Sequence, residues 1–328
     1  MAITGRLPLK KLQAAIEVTP GTILPATRFQ PVLSADLVRH RDRELPAEVR
    51  GSFIKNYGND YVTKDYWEIQ GMTFVPTYED LPWFLQAFAS HETASATNVT
   101  AYDYTFTPTV ATDDLKTVNW EVSNDTANFS AAFGLGTRIR IEGGSGKASM
   151  ATADYIGATI TKQAITSNMS VRVTEPINMT AMKAYIDSAT IGTTQVYTVL
   201  DFSFELTTGQ KQLFVASGSN TPYDSYRGET RMAKLDATLV FSSTTEYDAF
   251  AADTERKIRF TTLGSTIAGS SASTTKILDI DWYGKYSEAP FGDADGLVVL
   301  KVSGESIYDS GAGWDWRIRV RNDLATLV

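Results

Sequence analysis

The sequence predicts an all-β fold built of two tandem β-sandwich or barrel modules, each with one short helix. Three observations predict it. Apolar and polar residues alternate along short runs, those runs are rich in Val, Ile, Thr, Tyr, Phe and Trp, and one half of the chain resembles the other. With 328 residues, 43% of them hydrophobic and 21% charged, the chain is long enough for two domains with buried cores.

Four pairs of segments resemble each other in the same order in the two halves. They are 28–40 with 196–208, 66–90 with 231–254, 102–122 with 258–282, and 136–160 with 295–321. Asp36 aligns with Glu205 and Gln70 with Asp236, which gives offsets of 169 (205 − 36) and 166 (236 − 70) residues. Because the order is kept four times while the offset drifts slowly, we interpret the halves as copies of one module.

The repeat sets the predicted domain organisation, which is an N-terminal arm, a first module, a linker and a second module, over 1–30, 31–165, 166–195 and 196–328. An apolar stripe predicts one helix in each module. The stripe consists of Leu81, Phe84, Leu85 and Phe88 in the first half, and of Tyr247, Phe250 and Ala251 in the second. Pro82 suits the first turn of the first helix, where a missing N–H is tolerated.

Each module also contains a long polar segment between its first two strands, over 40–64 and 207–230. Segments of this length are often ordered by a partner, so we expect two arms that contact neighbouring molecules. Several prolines predict a third arm, an extended strap over 1–30. The candidate contact residues for stacking are Glu17, Pro20, Arg28, Phe53, Tyr57, Tyr61, Phe214, Tyr223 and Tyr226. The alternative is an Ω-loop packed on its own domain.

The composition excludes several kinds of site. There are no cysteines and only two histidines, which excludes disulfides, thiolate metal sites and multi-histidine metal sites. The run 143–149 resembles a phosphate-binding loop, but Ala148 stands where Ser or Thr is required. We interpret three acidic pairs as surface charge, namely Asp113–Asp114, Asp279 with Asp281, and Asp293 with Asp295. We therefore expect no catalytic residue, no cofactor and no metal, and a protein that is not an enzyme.

Net charge and hydropathy limit the kinds of binding partner that we expect. The chain has 30 basic and 38 acidic residues, a net charge of −8, whereas proteins that grip duplex DNA carry a basic stripe. No apolar run approaches the ~18 residues of a membrane helix, and the N-terminus lacks the apolar block of a signal peptide. We expect no membrane partner, and a protein that stays in the cytoplasm until it assembles.

Three segments resemble the siphophage major tail proteins, also called tail tube proteins. They are KKLQAAIEVTPGTILPATRFQPV, YWEIQGMTFVPTYEDLPWFLQAF and GTRIRIEGGSGKASMATADYIGA, which are similar to the opening, the strand–helix unit and the strand–turn–strand unit of that family. The resemblance covers nearly the whole chain, by pattern more than by sharp motif. It implies a β-sandwich whose inner sheet joins those of its neighbours into a ring, and rings that stack into a hollow tube for DNA.

The resemblance also implies the assembly and its partners. Most members have one module and form hexamers, so two modules in one chain imply homotrimeric, pseudo-hexameric rings in the virion tail. The implied partners are further copies of the chain, a tape-measure protein and later DNA in the lumen, and terminator and tip proteins. The long duplicated chain favours a non-contractile tail.

A wall past which DNA slides should be acidic or neutral and polar, because a cationic wall would bind phosphates. The resemblance and this argument together predict that the polar side chains of the inner strands face the lumen. These residues are Asp36, Glu68, Gln70, Asp201, Ser203, Glu205 and Asp236, with Lys234 as an exception. The same face could instead lie on the outside of the tube. The alternative function is a tail-tip or surface β-sandwich protein that binds a carbohydrate or receptor through exposed aromatic residues.

Overall fold

A computed structural model of the chain describes residues 10–45, 60–89, 94–108, 115–270 and 274–327. Within these ranges the regular structure is almost entirely antiparallel β-strand, which confirms the all-β class. Two short α-helices are present, α1 (Leu81–Leu85) and α2 (Thr245–Ala251), and each follows a strand at the position that the apolar stripes predict. A single 3₁₀ turn covers Met179–Ala181.

Ten strands belong to the first half of the chain. They are β1 (Lys10–Ile16), β2 (Arg28–Phe29), β3 (Leu37–Glu44), β4 (Tyr61–Phe74), β5 (Ser95–Asn98), β6 (Ala101–Phe106), β7 (Val118–Asn124), β8 (Asn128–Gly144), β9 (Lys147–Gly157) and β10 (Thr159–Lys162). Eleven strands belong to the second half. They are β11 (Lys183–Asp187), β12 (Gln195–Val196), β13 (Val199–Thr207), β14 (Gln210–Leu213), β15 (Asp224–Arg227), β16 (Met232–Val240), β17 (Arg256–Thr266), β18 (Thr275–Glu288), β19 (Phe291–Ala294), β20 (Leu297–Ser306) and β21 (Trp316–Asn322).

A continuous antiparallel sheet of eight strand positions runs through both halves, and we call it the central sheet. Its order is β3–β4–β9–β8–β13–β16–β20 and then β18 with β19, which share the eighth position. Two outer sheets pack on one side of it. They have the orders β2–β1–β7–β8–β10 and β12–β11–β17–β18–β21–β6–β5. The result is a β-sandwich in each half.

The long strands β8 and β18 belong to both layers, because their first halves pair in an outer sheet and their second halves pair in the central sheet. In β8 the change of layer falls at Phe133, whose φ of 59° lies in the left-handed region. Gly134 follows, and a Cβ there would lie 2.6 Å from the carbonyl oxygen of Val118 and 3.0 Å from the Trp67 ring. Only glycine allows this close approach of the two layers.

The same pattern of pairings occurs in both halves. The pairs β1–β2, β1–β7, β3–β4, β4–β9, β7–β8, β8–β9 and β8–β10 recur as β11–β12, β11–β17, β13–β16, β16–β20, β17–β18, β18–β20 and β18–β21. A local detail recurs as well. Glu17 accepts the N–H of Gly21 at 2.7 Å, and Asp187 accepts the N–H of Gly192 at 2.8 Å, both after the first strand of a half.

These pairings correct the register that the sequence predicts for the repeat. The first two segment pairs agree with the pairing pattern to within two residues. Leu37 pairs with Ile69 in the first half, and Phe204 pairs with Leu235 in the second, so Leu37 corresponds to Phe204 and Ile69 to Leu235. The last two segment pairs are wrong by one strand, since β7 corresponds in its pairing to β17 and β9 to β20. The cause is the hairpin β5–β6, which pairs with β21 and has no counterpart between α2 and β17.

The predicted arm over 1–30 and the predicted linker over 166–195 are partly built into the sheets. From Lys10 onward the N-terminal segment pairs with β7 over seven residues, so this part is a strand of the chain's own outer sheet and not an extended strap. Its alternate residues Leu12 and Ala14 are buried in the core, which explains the pairing. Within the linker, β11 pairs with β17, so the second sandwich includes residues from Lys183.

The core lies between the central sheet and the outer sheets and contains buried residues from both halves. Aromatic rings fill it in both halves. Phe74 stacks on Phe84 of α1 with centroids 4.1 Å apart, and Phe202 stacks on Phe260 at 4.2 Å. Burial of each such ring stabilises the fold by roughly 1.5–3 kcal/mol. Within the described residues, no helix is long and apolar enough to cross a membrane.

Candidate assembly interface

One face of the central sheet is polar in both halves, and we call it the polar face. It arises from strict alternation. In β13 the side chains of Phe202, Phe204 and Leu206 are buried in the core, so Asp201 and Glu205 project to the opposite side. The members used below are Glu68, Arg138, Arg140, Glu142, Lys147, Asp201, Ser203, Glu205, Lys234, Asp236 and Lys301.

The structure brings six of the seven predicted lumen residues together on this face, namely Glu68, Gln70, Asp201, Ser203, Glu205 and Asp236. Gln70 belongs with them because its amide donates to the carboxylate of Glu68 at 2.8 Å. Asp36 lies apart, just before β3 at the edge of the sheet. Its side chain is 86% exposed and pairs with Lys10 at 2.7 Å.

The sequence predicts an acidic or neutral polar face with Lys234 as an exception, and the structure places further basic side chains between the carboxylates. Lys234 pairs with Asp236 at 3.3 Å, and Arg138 pairs with Asp154 at 2.8 Å. Acidic and basic side chains are mixed both within strands and between neighbouring strands, and many of these charges are paired within the sheet. The sequence prediction does not include Arg138 and Arg140, although their alternation with Ile139 and Ile141 is the pattern of a half-buried strand.

The polar face contains a depression of about 660 Å³, lined mainly by residues of β8, β9, β13, β16 and β20. Asp201 lies in this depression with the ammonium of Lys147 beside it. Burial opposes ionisation of Asp201, but hydrogen bonds from Lys147 and Thr238 outweigh it and lower the pKa of the carboxyl below its usual value. The carboxylate of Asp201 is therefore held ionised at neutral pH.

The two halves meet in the middle of the central sheet, where 138–144 of β8 pair with 201–207 of β13. We call this pairing the internal junction. Two further backbone hydrogen bonds extend it, from Ser145 N to Leu200 O at 2.8 Å and from Thr208 N to Thr137 O at 2.9 Å. The junction therefore has the regular ladder of an ordinary antiparallel pair.

Side chains lock the internal junction on both faces. On the polar face, Arg140 Nε donates to Ser203 Oγ at 2.6 Å. On the core face, Phe204 stands opposite Ile141. Gly143 is required there, because a Cβ at this position would lie 2.4 Å from the Cβ of Met179. The packing is therefore as close as in a domain interior.

Both ends of the central sheet are open within the part of the chain that the structure describes, and we call them the open edges. Among the described residues, β3 pairs with β4 alone, and the end of β18 together with β19 pairs with β20 alone. Apolar residues accompany both edges. Val38 is 47% exposed, and Phe291 is 52% exposed while its ring contacts the rings of Phe241 and Tyr247. An unprotected edge of this kind is a surface for pairing with another chain.

The segment 207–230 forms the hairpin β14–β15, which folds back over the first half of the chain. Asn220 O accepts the backbone N–H of Asp65 at 2.8 Å, and the Phe214 ring lies 6.3 Å from that of Tyr66 in an edge contact. Part of this predicted arm thus packs within its own chain. Tyr223 and Tyr226 remain exposed, by 68% and 48%.

The other predicted stacking residues have different positions. Phe53 and Tyr57 lie outside the described residues, whereas Tyr61 is 58% exposed at the start of β4. Pro20 lies in an exposed turn. Arg28 is buried and pairs with the buried Asp80 at 2.5 Å, so it holds the N-terminal segment against α1 of its own chain.

Glu17 is buried beneath the same segment. Its carboxylate accepts the N–H groups of Phe133 and Gly21 and the hydroxyl of Thr117, each at 2.7 Å. Burial raises the pKa of Glu17 in spite of these hydrogen bonds. Because Phe133 marks the change of layer in β8, Glu17 fixes the bend of that strand. This is an internal structural contact, unlike the contact with a neighbour that the sequence predicts.

The acidic pair Asp279 and Asp281 lies beneath arginine side chains of an outer sheet and not on a wet surface. Asp281 is fully buried and binds Arg259 at 2.6 Å and Arg317 at 2.6 Å, while Arg319 pairs with Asp279. The partners stand on the neighbouring strands β17 and β21, so the burial follows from strand pairing and not from local sequence. Asp113 and Asp114 lie outside the described residues.

Comparison with protein-family models finds no match for this chain, and comparison with curated protein sequences finds none either.

Proposed function

We propose that this chain is a structural virion protein that polymerises into stacked rings, and that these rings form the hollow tail tube of a siphophage, the conduit for DNA. One observation carries the proposal. The central sheet has an open edge at each end, and the internal junction at its middle joins strands whose counterparts are those two edges. We interpret the recurring pairing pattern as a duplicated module, as the sequence predicts.

Pairing between the two different edges is head-to-tail, so each copy offers one edge and accepts the other. Such pairing closes into a ring when the rotation per copy allows it, and closure leaves no free strand. Three copies would give a barrel of 24 strand positions (3 × 8) with six modules. This is the number that the resemblance to tail tube proteins implies.

The polar face would line the lumen, because the two outer sheets cover the other side of the central sheet and this side carries the depression. Its basic groups are engaged by carboxylates, as in the pairs Lys147–Asp201 and Lys234–Asp236. A wall of paired charges gives phosphates few free cations to bind, so a duplex would slide along it with little counterion release. The mixed face thus serves the same purpose as the acidic wall that the sequence predicts.

Stacking of rings would use exposed groups outside the central sheet. Tyr223 and Tyr226 on the hairpin β14–β15 are suited to this, since exposed tyrosines supply large contact area with a polar group at the tip. The proposed partners are other copies of the chain, a tape-measure protein and DNA in the lumen, and terminator and tip proteins at the ends of the tube.

The alternative, a carbohydrate- or receptor-binding tail-tip protein, depends on an exposed aromatic platform. Five of the six tryptophans, Trp67, Trp83, Trp120, Trp282 and Trp316, are buried. The sixth, Trp314, lies beneath the guanidinium of Arg317 at 5.1 Å. The tryptophans therefore give this alternative no support.

Electron microscopy and mass measurement of the purified full chain test the proposal. We expect rings with a central pore and threefold symmetry, with a mass of about 108 kDa (3 × 35.9) per ring, and tubes at higher concentration. A protein that stays at 35.9 kDa over a wide range of concentration and salt would contradict it. Binding of glycans by such a monomer would favour the alternative.

A further inference from the structure

The two strands of the internal junction have counterparts at the open edges, and the counterparts can be assigned residue by residue. The pairing of β8 with β9 skips one residue between Gly136 and Arg138. The pairing of β18 with β20 skips one residue between Tyr286 and Glu288. The two bulges place residue 137 in the position of 287, so β8 corresponds to β18 and β19 with an offset of 150 (287 − 137).

The position of β3 relative to β13 follows from rows of paired residues that cross the sheet. One row runs through Leu37, Ile69, Tyr155 and Gly136. The corresponding row runs through Phe204, Leu235, Gly304 and Tyr286. The offset of 150 between Gly136 and Tyr286 is the one that the bulges give, so the two assignments agree. Leu37 of β3 therefore stands where Phe204 stands in β13.

From these correspondences we propose that β3 of one copy pairs antiparallel with β19 and the end of β18 of a second copy, with Leu37 opposite Phe291 and Asp36 opposite Gly292. The proposal rests on the self-assembly proposed above and adds the register. It repeats the internal junction, in which Phe204 stands opposite Ile141 and Ser203 opposite Glu142.

The backbone of β19 is oriented for this pairing. Pro290 O accepts the N–H of Lys301 at 3.0 Å, so the polar groups of Pro290 point toward β20. Because hydrogen bonds alternate sides along an antiparallel strand, the N–H and C=O groups of Phe291 and Asp293 point to the open side. Proline thus occupies a position whose missing N–H would not be used in the new pairing.

The side chains also fit. Phe291 is half-exposed in a single copy, and the proposed register covers it with Leu37 on the core side of the sheet. Asp293 would stand opposite Ala35, whose carbonyl oxygen accepts a hydrogen bond from the ammonium of Lys10. A carboxylate of one copy thereby meets a lysine of the next, which favours a second copy of this chain as the occupant of the edge.

Disulfide trapping tests the register. The chain contains no cysteine, so only the introduced cysteines can form disulfides. Asp36 and Gly292 fall between hydrogen-bonded pairs, where Cα atoms lie about 4.5 Å apart, within disulfide range. Asp36 is exposed, and a Cβ at residue 292 would lie 3.1 Å from the flexible end of Lys301 and 3.4 Å from Cγ2 of Val299, so we expect both substitutions to be tolerated. We expect the full-length D36C/G292C variant to form intermolecular disulfides on oxidation about ten-fold more efficiently than V38C/G292C, which is two residues out of register.

Two further measurements keep the test decisive. E142C/S203C, the equivalent pair at the internal junction, should form an intramolecular disulfide that leaves the mass of a single chain and shows that the oxidation works. In the unmutated protein, carbodiimide should link Lys10 of one chain to Asp293 of another. This measurement needs no substitution, so it does not depend on whether the cysteine variants fold. If rings form but neither link appears, or V38C/G292C is trapped instead, the register is overturned and self-assembly stands. If no assembly forms, both proposals fail together.

Discussion

Arg140 on β8 donates a hydrogen bond of 2.6 Å from Nε to the hydroxyl of Ser203 on β13, across the line where the two halves of the central sheet meet. The contact joins residues 63 apart in the chain, and regular strand pairing continues on both sides of it. The central sheet is thus undivided although each half has its own outer sheet. This continuity is the property that the proposed assembly extends from one chain to the next.

Gly143→Ala should destabilise the protein by about 1–3 kcal/mol, because its Cβ would lie 2.4 Å from that of Met179 and force the internal junction apart. Urea unfolding measures the change. Gly292→Ala is the matched control, since Gly292 is also a strand glycine of the central sheet but its Cβ would come no nearer than 3.1 Å to its neighbours, the flexible Lys301 and then Val299. Equal stabilities of the two variants would show that close packing at the junction is not needed.

Asp281→Asn should destabilise the protein by roughly 2–3 kcal/mol, because it leaves Arg259 and Arg317 without their shared carboxylate. The arginines are partly exposed, so the loss is smaller than for a fully buried pair. Asp36→Asn removes an exposed partner of Lys10 and should change the free energy of unfolding by about 0–1 kcal/mol. A similar loss in both variants would argue against a structural role for the buried carboxylate.

Glu17 gives a pH-dependent prediction. Burial raises its pKa in the folded state above the usual 4.5, so the folded state binds the proton more tightly than the unfolded state does. The stabilisation from protonation is complete below the unfolded pKa and is lost as the pH rises through the folded pKa. The stability of Glu17→Gln relative to the unmutated protein should therefore increase as the pH rises above the usual glutamate value of 4.5.

Denaturant unfolding at several pH values measures this difference. A difference between Glu17→Gln and the unmutated protein that stays constant with pH would contradict the raised pKa. The part of the stability difference that does not change with pH comes from the hydrogen bonds that Glu17 accepts from Phe133, Gly21 and Thr117, which the amide of Gln only partly replaces.

Phe291→Lys should abolish assembly without unfolding the chain. A charge on an edge strand prevents edge-to-edge pairing. The side chain is already half-exposed, so the substitution removes its ring contacts with Phe241 and Tyr247 but leaves the core between the sheets in place. Light scattering and electron microscopy measure assembly, and circular dichroism measures folding. Val18→Lys, at a residue 90% exposed in a turn of an outer layer, is the control and should assemble normally. If Phe291→Lys forms rings as the unmutated protein does, the proposed edge contact is wrong.

Local alternation made much of the polar face predictable from sequence. Phe202, Phe204 and Leu206 mark one side of β13, and that is enough to place Asp201, Ser203 and Glu205 on the other. Partners across strands were not predictable. Asp281 is buried by arginines 22 residues before it and 36 residues after it, and no local pattern in the sequence shows that pairing.

The repeat shows the same division between local and distant information. Its existence is a prediction from sequence, but its register depends on which strands pair, and the unmatched hairpin β5–β6 shifted the alignment by one strand. The prolines of the N-terminal segment predict an extended strap over 1–30, whereas in the structure Lys10–Ile16 form a strand. Pairing with β7, about 100 residues later, decides its place.

The orientation of the polar face gives a final prediction. If this face lines a lumen that lets DNA pass, reversing two of its carboxylates should make the wall bind phosphates. In the double variant Glu205→Lys and Asp236→Lys, the two new cations join Lys234, which loses its partner, so three cations become available at one place, while Arg138 keeps its pair with Asp154. Assembled rings of this variant should retain short duplex DNA at low salt and release it as salt rises, whereas unmutated rings should not retain it.

The control replaces Asp253 and Glu229 by lysine. Both are exposed acids outside the central sheet, so the control changes the net charge by the same amount. Equal retention by the two double variants would show that net charge, and not the polar face, governs DNA binding, and the polar face would then belong on the outside of the tube.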